Sequence, residues 1–468
     1  GHRRLDDDAA TFEELGVGDG GIVTVVMMAM REVCPTKSPG GDRGAFAVLI
    51  GGGAVVAWGH PNGGGDSSAV KDKISRGVQA VYSTGHAFAA VSVEGSVVAW
   101  GDPRRGGDCS AVQAELASGV RCIFSTRNAF AALKQDGSVV TWGDPTTGGD
   151  SSRARERLSG GVQTVVSTYR AFAALKDDGS VVVWGKMREG GALWLTSATP
   201  ELQQRLEEQL SGGVKAIYST SAAFVAVKAD GALVAWGSVY IPPGAWDQLS
   251  AGVQAVFSTE LAFAVVTRDG RVVTFGDRET GGDSSAVQER LSAGVETIFS
   301  NQRAFAAVLR GGQGVVTWGD NEAGGDSSEV QEMLTGGVKA IYATGSAFAA
   351  LKADGGVVTW GDPNRGGDCS AVQDRLRTGV REIFATGSAF AAVLSDGSAA
   401  TWGFGMAGGN AARVQDRLKS GIQRIYSNEY AFVAVKSDGG VVTWGYANAG
   451  GDSTKVQHLF EPARAGAH

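Results

Sequence analysis

The chain has 468 residues, and its 43% hydrophobic residues are enough for a packed core. Its 71 glycines are about twice the usual share, but with only 10 prolines and no three-residue period the composition excludes a collagen-like or a Pro/Gly-rich disordered chain. A formal net charge of −7 with only 19% charged residues argues against a general nucleic-acid-binding protein.

Residues 1–30 have no counterpart in the rest of the chain. A strand-like start at residues 5–8, a short helical turn at 11–17 and an apolar strand at 23–27 resemble the second half of a ubiquitin-like domain. The first hairpin and main helix of such a domain are missing, so the resemblance implies a truncated remnant. The apolar run around residues 21–30 is too short to span a bilayer, and we expect no membrane span.

Ten similar units follow, covering residues 31–460 and leaving 461–468 as a tail. Each unit has a strand that ends in Trp-Gly, with Phe275 replacing the tryptophan once, and successive markers are 42, 42, 42, 52, 39, 43, 42, 42 and 42 residues apart. A fixed period of this length is the signature of a repeat architecture. The sequence therefore predicts one repeat array in place of the roughly three domains that its length alone suggests.

The elements of a regular unit are clearest in its third copy. Alternating apolar residues predict strands over 120–126, 129–134 and 138–142. Asp136-Gly137 predicts a hairpin turn between the second and third strands, because glycine adopts positive φ without steric cost.

A short helix is predicted to close each unit, as at residues 151–158. In another unit Ser285 and Gln288 match a capping box, in which each side chain satisfies a free backbone N–H. The Gly-Gly-Asp-Ser loop before this helix has two functional interpretations, phosphate binding at the helix N-terminus and calcium binding. We favour a structural one, in which Asp and Ser cap the helix, because Asp repels phosphate and calcium-binding solenoids repeat every nine residues.

The strand patterns also predict how the units pack. Val139 and Val140 point to opposite faces of the third strand and both are apolar, so both faces are covered. We predict a mainly β fold, a β-propeller of ten units of about 42 residues, each with three strands and a short helix; an open repeat superhelix is the alternative. A strand-like segment at residues 31–34 is predicted to complete the ring with the last unit.

At these positions the repeat resembles that of the regulator of chromosome condensation family. The matching residues of one unit are Gly337-Val338, Ile341, 347–351, Asp354-Gly355, Val357, Trp360-Gly361 and Gly366-Gly367. The resemblance covers about nine tenths of the chain and implies the blades of a β-propeller, although the family's mid-repeat histidine is retained only as His86. With the ubiquitin-like start, the pattern resembles chains called HERC-like ubiquitin ligases, a name that rests on the repeats alone.

Catalytic motifs are nearly absent from the sequence. The five histidines have no metal-ligand spacing, and neither a Gly-x-Ser-x-Gly elbow nor a Cys/His pair is evident. Only 24 residues follow Trp444, too few for the catalytic lobe of a HECT-type ligase. We therefore predict no enzymatic activity, no cofactor and no metal.

The positions that vary between units predict where a partner binds. Packing fixes the repeated frame, so freely varying positions lie on the outside, and tyrosine and arginine are enriched at binding hot spots. By register, the residues just before each Ala-Phe pair form one rim, while an insertion and a shortened linker at residues 185–250 break the symmetry. These two features supply the partner-binding candidates: Arg127, Tyr169, Arg170, Trp194, Trp246, Glu260, Arg303, Glu429 and Tyr430.

These observations predict a non-enzymatic protein–protein interaction scaffold, or an accessory subunit of a large complex, with protein partners and no nucleic acid. The family resemblance implies two alternatives: a guanine-nucleotide exchange factor for a small GTPase, and the substrate-recognition part of a HERC-like ubiquitin ligase that lacks its catalytic domain. We expect an intracellular protein, in the cytoplasm or nucleus, or in an organelle if a targeting peptide has been removed.

Overall fold

A computed structural model describes residues 24–27, 44–192, 200–249, 252–292 and 294–456. These residues form ten three-stranded antiparallel sheets, which we number as blades 1 to 10 in chain order. The strands are β1–β3 (Thr24–Met27, Ala45–Ile50, Ala54–Gly59) in blade 1, β4–β6 (Val78–Ser83, Ala87–Ser92, Val97–Gly101) in blade 2, β7–β9 (Val120–Ser125, Ala129–Lys134, Val139–Gly143) in blade 3, β10–β12 (Val162–Ser167, Ala171–Lys176, Val181–Gly185) in blade 4, β13–β15 (Val214–Ser219, Ala223–Lys228, Leu233–Gly237) in blade 5, β16–β18 (Val253–Ser258, Ala262–Thr267, Val272–Gly276) in blade 6, β19–β21 (Val295–Ser300, Ala304–Leu309, Val315–Gly319) in blade 7, β22–β24 (Val338–Ala343, Ala347–Lys352, Val357–Gly361) in blade 8, β25–β27 (Val380–Ala385, Ala389–Leu394, Ala399–Gly403) in blade 9 and β28–β30 (Ile422–Ser427, Ala431–Lys436, Val441–Gly445) in blade 10.

Blades stack through a face of small residues and a face of large ones. In blade 3, Phe130 lies opposite Trp142 of the next strand, and their rings stack with centroids 5.0 Å apart. Phe130 packs on Ala87 and Ala89 of blade 2. On the other face of the same strand, the alanines of blade 3 pack against Phe172 of blade 4. The core is therefore distributed between the blades, one layer for each neighbouring pair.

An indole hydrogen bond ties each regular blade to the linker before it. Trp142 Nε1 donates to the carbonyl oxygen of Gly106 at 2.9 Å. The same bond, 2.9–3.3 Å long, is made by nine tryptophans to a glycine of the preceding linker. A Cβ on Gly106 would lie 2.7 Å from the ring of Phe130, so the first glycine of the Gly-Gly pair also allows close packing on the next blade.

Blade 10 joins blade 1 through the same contacts. Trp58 Nε1 of blade 1 donates to the carbonyl oxygen of Gly450 at 3.0 Å, and Phe46 of blade 1 packs with Ala431 of blade 10. The first strand β1 lies beside β28 on one side and β4 on the other. Because first strands of consecutive blades are neighbours all around, they face the axis. The chain is thus a closed ten-bladed β-propeller, as predicted, and the open superhelix is wrong.

The strand that completes blade 1 differs from the predicted one. It is β1, which pairs antiparallel with β2 and places Val26 opposite Ala47. The predicted segment 31–34 lies outside the described residues. Because β1 falls within residues 1–30, part of that segment belongs to the first blade. The domain boundary at residue 30 and the likeness of residues 1–30 to a ubiquitin-like half stay predictions.

The helices are short and lie in the linkers between strands. The α-helices are α1 (Pro200–Leu210), α2 (Ala245–Gln248) and α3 (Gln373–Leu376), and the helix predicted over 151–158 is only a 3-10 turn. No helix among the described residues is both long and apolar enough to cross a membrane. Two π turns lie at Arg278–Gly282 and Asn321–Gly325. The 3-10 helices are Gly51–Gly53, Pro61–Gly63, Ser68–Ile74, Pro103–Arg105, Ser110–Val112, Pro145–Thr147, Ser152–Ala154, Met187–Glu189, Ser285–Val287, Arg310–Gly312, Ser328–Leu334, Pro363–Arg365, Ser370–Val372, Gly405–Ala407, Ala412–Leu418 and Ala447–Ala449.

The predicted capping box is wrong, because the glutamine points the other way. Gln288 Nε2 donates to the carbonyl oxygen of Val272 at 3.1 Å, which ties the helix to the third strand of its blade. The cap is the preceding aspartate: Asp283 Oδ1 accepts the N–H of Ser285 at 2.9 Å. Asp66, Asp108, Asp150 and Asp368 form the same turn, each accepting the N–H of the residue two positions further on. In all five aspartates the hydrogen bonds from that residue lower the pKa of the carboxyl group.

The replacement of the repeated tryptophan by Phe275 has a structural reason. The linker before its blade is the shortened one, residues 238–252, and it lacks the Gly-Gly pair. Its Tyr240 carbonyl oxygen instead accepts the N–H of Gly276 at 2.8 Å. The phenylalanine and the short linker therefore belong together, since the glycine carbonyl that other units offer to an indole N–H is missing here.

We expect Phe275→Trp to lower the free energy of unfolding by about 1–3 kcal/mol, because the larger ring overpacks the site and its N–H gains no glycine carbonyl. The reverse change, Trp318→Phe, removes a 3.1 Å bond to Gly281 and is expected to cost about 1 kcal/mol. Urea unfolding measures both values. A neutral or stabilising Phe275→Trp would contradict the explanation.

Candidate interaction surface at the axial rim

The loops that join the first and second strands of the blades meet around the axis of the ring. We call these loops the axial rim. Its described members are residues 84–86, 126–128, 168–170, 220–222, 259–261, 301–303, 344–346, 386–388 and 428–430.

Neighbouring loops of the axial rim are joined by backbone hydrogen bonds. The N–H of Arg127 donates to the carbonyl oxygen of Tyr169 at 2.9 Å. Equivalent bonds of 2.8–3.0 Å run, donor first, from Gly85 to Arg127, Tyr169 to Ser221, Ser221 to Glu260, Glu260 to Gln302, Gly345 to Gly387 and Gly387 to Glu429. These bonds use only the backbone, so they form with different side chains at this position; at Ser221 the side chain adds a bond, from its Oγ to the carbonyl oxygen of Glu260 at 2.7 Å.

Each loop is also fixed within its own blade by a buried threonine or asparagine. Thr126 Oγ1 accepts the N–H of Ala129 at 3.1 Å and donates to the carbonyl oxygen of Thr147 at 2.9 Å. A serine at the end of the first strand adds a bond between blades, since Ser167 Oγ donates to the carbonyl oxygen of Ser125 at 2.8 Å. Together these bonds make the rim a rigid support for the side chains it displays.

The structure brings seven of the nine candidate residues together on the axial rim. Arg127, Tyr169, Glu260 and Glu429 occupy the first variable position of their loops, and Arg170, Arg303 and Tyr430 the second. All are half-buried except Arg303, which is exposed. Trp194 lies outside the described residues, and Trp246 lies in α2, in the linker between blades 5 and 6. A role of any of these residues in binding stays a prediction.

The arginines at the second position pair with the loop that follows the third strand of the same blade. Arg303 Nη2 lies 2.7 Å from Asp320 Oδ2, and Arg170 Nη1 lies 3.4 Å from Glu189 Oε1. Lys186 also approaches Glu189, at 3.3 Å. The candidate interaction surface therefore includes both the axial rim and these adjoining loops.

Glu260 and Glu429 are the electrostatically unusual residues of the rim. Burial raises the pKa of Glu260 to about 7, although the charge of Arg303 opposes the shift. Burial also raises the pKa of Glu429 to about 7, against a hydrogen bond from Tyr430 and the charges of two arginines. A half-buried carboxyl group of this kind can bind a cation when it is charged and donate a hydrogen bond when it is protonated.

These two carboxyl groups predict how stability depends on pH. Between pH 4.5, the ordinary pKa of a glutamate, and about pH 7, these two groups keep their protons in the folded state and lose them in the unfolded state. The free energy of unfolding therefore falls as the pH rises through this window and levels off above it. Glu260→Gln with Glu429→Gln is expected to reduce that fall, whereas Glu296→Gln, at an exposed glutamate of β19, leaves it unchanged. Urea midpoints at pH 5 and pH 8 measure the difference; an equal fall in both variants would contradict the assignment.

Sequence reasoning missed the contribution of the loops that follow the third strands. Phe404 and Met406, in the loop after blade 9, are 47% and 58% exposed. A signal was present, because Phe404 stands where five other units have an aspartate. Their proximity to the rim depends on the backbone bond from Phe404 N–H to Ser388 O at 2.8 Å, which no sequence pattern indicates.

The described residues hold no group of three or more His, Cys, Asp or Glu side chains able to bind a metal ion. The aspartates of the Gly-Gly-Asp-Ser loops are engaged by backbone N–H groups, as with Asp283. In these loops the structural interpretation is therefore confirmed for the aspartate.

No protein-family model matches the chain, and no curated protein matches it. Several solved propeller structures are similar to it at low identity. One is Prp20p of Saccharomyces cerevisiae, whose crystal structure is described with its binding to Gsp1p and histones, at 16% identity over 56% of this chain and 80% of that one, with a TM-score of 0.31. Another is the CRINKLY WD40 ectodomain of the Arabidopsis thaliana receptor kinase ACR4, at 16% identity over 59% and 90%, with a TM-score of 0.32.

A third similar structure is the β-propeller domain of Cps50 (Swd1) from Myceliophteria thermophila, at 14% identity over 60% of this chain and 95% of that one, with a TM-score of 0.22. Values this low transfer neither a function nor a site. The ring of ten blades rests on the contacts within the molecule, above all the bond from Trp58 to Gly450.

Proposed function

We propose that this protein is a non-enzymatic interaction scaffold, or an accessory subunit of a larger assembly, that binds a protein partner at the axial rim. One observation carries the proposal: the same backbone bond joins most neighbouring loops of the rim, while the side chains differ among blades 2 to 7 and again at blade 10; blades 8 and 9 share the loop Thr-Gly-Ser.

The difference between frame and side chains supports binding rather than packing. At the first variable position the chain has Arg127, Tyr169, Ser221, Glu260 and Gln302 in successive blades, each with the same backbone bond. Because the backbone of the rim is already fixed by these bonds, it loses little conformational freedom when a partner binds. Tyrosine and arginine are also the residue types most often found at interface hot spots.

A photo-crosslinking amino acid tests the proposal. Placed at Tyr169 on the axial rim of the full chain, and expressed in the native cells, it is expected to give a discrete covalent product with one partner. The matched control replaces Asp178, which lies in the hairpin turn at the opposite end of the same blade. Equal products from the two positions, or none from Tyr169, would count against a partner at the rim.

The family resemblance leaves finer proposals about the kind of partner. For a guanine-nucleotide exchange factor the partner is a small GTPase, and the chain then accelerates nucleotide release from at least one member of a GTPase panel. For the substrate-recognition part of a ubiquitin ligase, the crosslinked product contains a ligase subunit or its substrate. The ubiquitin-like character of residues 1–30 belongs to this second proposal.

A further inference from the structure

The loops after the third strands of blades 9 and 10 depart from the repeat. In five other blades this loop begins with an aspartate whose carboxylate accepts an N–H two or three residues further on, at 2.8–3.0 Å: Asp102, Asp144, Asp277, Asp320 and Asp362. Phe404 and Tyr446 stand at this position in blades 9 and 10. Both blades therefore lack a stabilising side-chain cap and have an aromatic ring instead.

The replacement leaves apolar surface open to solvent. Among the described residues only five large hydrophobic side chains are exposed, and two of them, Phe404 and Met406, are two residues apart in this loop. The segments 404–408 and 446–450 contain no charged residue, whereas the equivalent segment 102–106 contains an aspartate and two arginines. Such an apolar, uncharged surface is typical of a protein contact.

Backbone bonds place this surface on the axial rim. The N–H of Tyr446 donates to the carbonyl oxygen of Tyr430 at 3.0 Å, just as Phe404 N–H donates to Ser388 O at 2.8 Å. The two tyrosines are half-buried. We call Phe404, Met406, Tyr430 and Tyr446 the apolar sector.

The carboxyl group of Glu429 lies next to the apolar sector. A Cβ on Gly387 would lie 2.8 Å from Glu429 Cγ, so the Glu429 side chain lies over blade 9, the blade that presents Phe404. Tyr430 hydrogen-bonds to the carboxyl group of Glu429, and the charges of Arg127 and Arg365 favour its ionised form, but burial outweighs all three. Arg365, one of the cations in its surroundings, lies 3.4 Å from Asp362 and donates to Ser388 Oγ at 3.2 Å.

A carboxyl group whose burial outweighs the positive charges around it gains from a further cation. Burial disfavours its charged form, and a positive charge brought close by a partner restores that form. Aromatic rings beside it, such as those of Tyr430 and Tyr446, add favourable contacts for a guanidinium or ammonium group. The charge of the site therefore indicates the chemistry of the partner that covers the apolar surface.

We propose that the apolar sector and Glu429 bind a partner segment in which an aliphatic or aromatic side chain lies close to a lysine or arginine. The apolar side chain packs on Phe404 and Met406, and the cation meets the Glu429 carboxylate. The proposal rests on the proposed function and specifies which part of the axial rim binds and what it recognises.

A displayed library of random 12-residue peptides, selected on the immobilised full chain, tests this proposal. Enriched peptides are expected to combine an apolar residue with Lys or Arg within four positions. Met406→Asp is expected to weaken binding of the enriched peptides at least tenfold. Met333→Asp, at a methionine that is 52% exposed in another linker, is the matched control and leaves binding unchanged. Because both methionines are exposed, unfolding midpoints will show that the two variants fold alike.

A second comparison tests the contact with the carboxyl group. Glu429→Gln is expected to weaken the enriched peptide several-fold, but to have no effect on the same peptide with its cation replaced by glutamine. Enrichment of acidic peptides, no enrichment, or binding that is insensitive to Met406→Asp would overturn the proposal. The proposal would also be overturned if the chain self-associates and Met406→Asp abolishes that self-association, because a second copy of the chain would then cover the apolar sector. A partner crosslinked at Tyr169 in any of these cases leaves the proposed function standing.

Discussion

Phe130→Ala is expected to lower the free energy of unfolding by about 3–5 kcal/mol. Phe130 is fully buried, stacks on Trp142 with ring centroids 5.0 Å apart and packs on the alanines of blade 2. Its removal leaves a cavity between two blades, and the lining alanines are too small to fill it. The neighbouring linker also loses support, because Gly106 lies against the same ring.

The control for this change is another phenylalanine of the same chain. Phe404 is 47% exposed, so Phe404→Ala is expected to change the free energy of unfolding by less than about 0.5 kcal/mol. Urea unfolding followed by tryptophan fluorescence measures both variants. Equal effects of the two changes would show that the inter-blade layer is not the core.

Gly450→Ala is expected to lower the free energy of unfolding by about 1–3 kcal/mol more than Gly439→Ala, a control substitution with the same backbone strain. Gly450 has a φ of 95°, and a Cβ there would lie 2.2 Å from Phe46 Cδ2 of blade 1. The carbonyl oxygen of Gly450 also accepts the indole N–H of Trp58. The substitution therefore pushes the last linker away from the first blade and weakens the closure of the ring.

Gly439→Ala is the control, because Gly439 has a φ of 79° and nothing lies within 4 Å of a Cβ built on it. Both variants have an alanine in the left-handed region, but only Gly450→Ala disturbs a neighbouring blade. In an open array the linker that contains Gly450 would end free, and the two changes would have similar effects. Urea midpoints of the two variants distinguish these cases.

Much of the fold could be predicted from the sequence because its repeats report packing directly. The Trp-Gly and Ala-Phe markers correspond to residues such as Trp142 and Phe130, which lie opposite each other in every regular blade. The helix predicted over 151–158 is too long, since only Ser152–Ala154 is helical there, whereas other units have seven-residue 3-10 helices such as Ser328–Leu334. The sequence predicts the first strand at 31–34 and misses Thr24–Met27, because residues 28–44 separate Thr24–Met27 from the second strand and break the repeat spacing.

The candidate site could be predicted only in part, and for a different reason. Variation between units identified the position of Arg127, Tyr169 and Glu429, because the backbone bonds of the rim form with different side chains there. The backbone bonds that join these residues into one rim have no side-chain signature, so the sequence could not show them. Phe404 was visible as a departure from the aspartate of other units, but its place beside the rim depends on the backbone bond from Phe404 N–H to Ser388 O within blade 9.

A distance measurement between spin labels tests the closed ring most directly. In a chain whose native cysteines are replaced by serine, labels are attached at the exposed glutamines Gln79, Gln163 and Gln423, which occupy the same position of the first strands of blades 2, 4 and 10. In a closed ring of ten blades the pairs Gln79–Gln163 and Gln423–Gln79 are each two blades apart. The ring predicts equal distances for the two pairs by double electron–electron resonance. A Gln423–Gln79 distance much longer than the Gln79–Gln163 distance would contradict it.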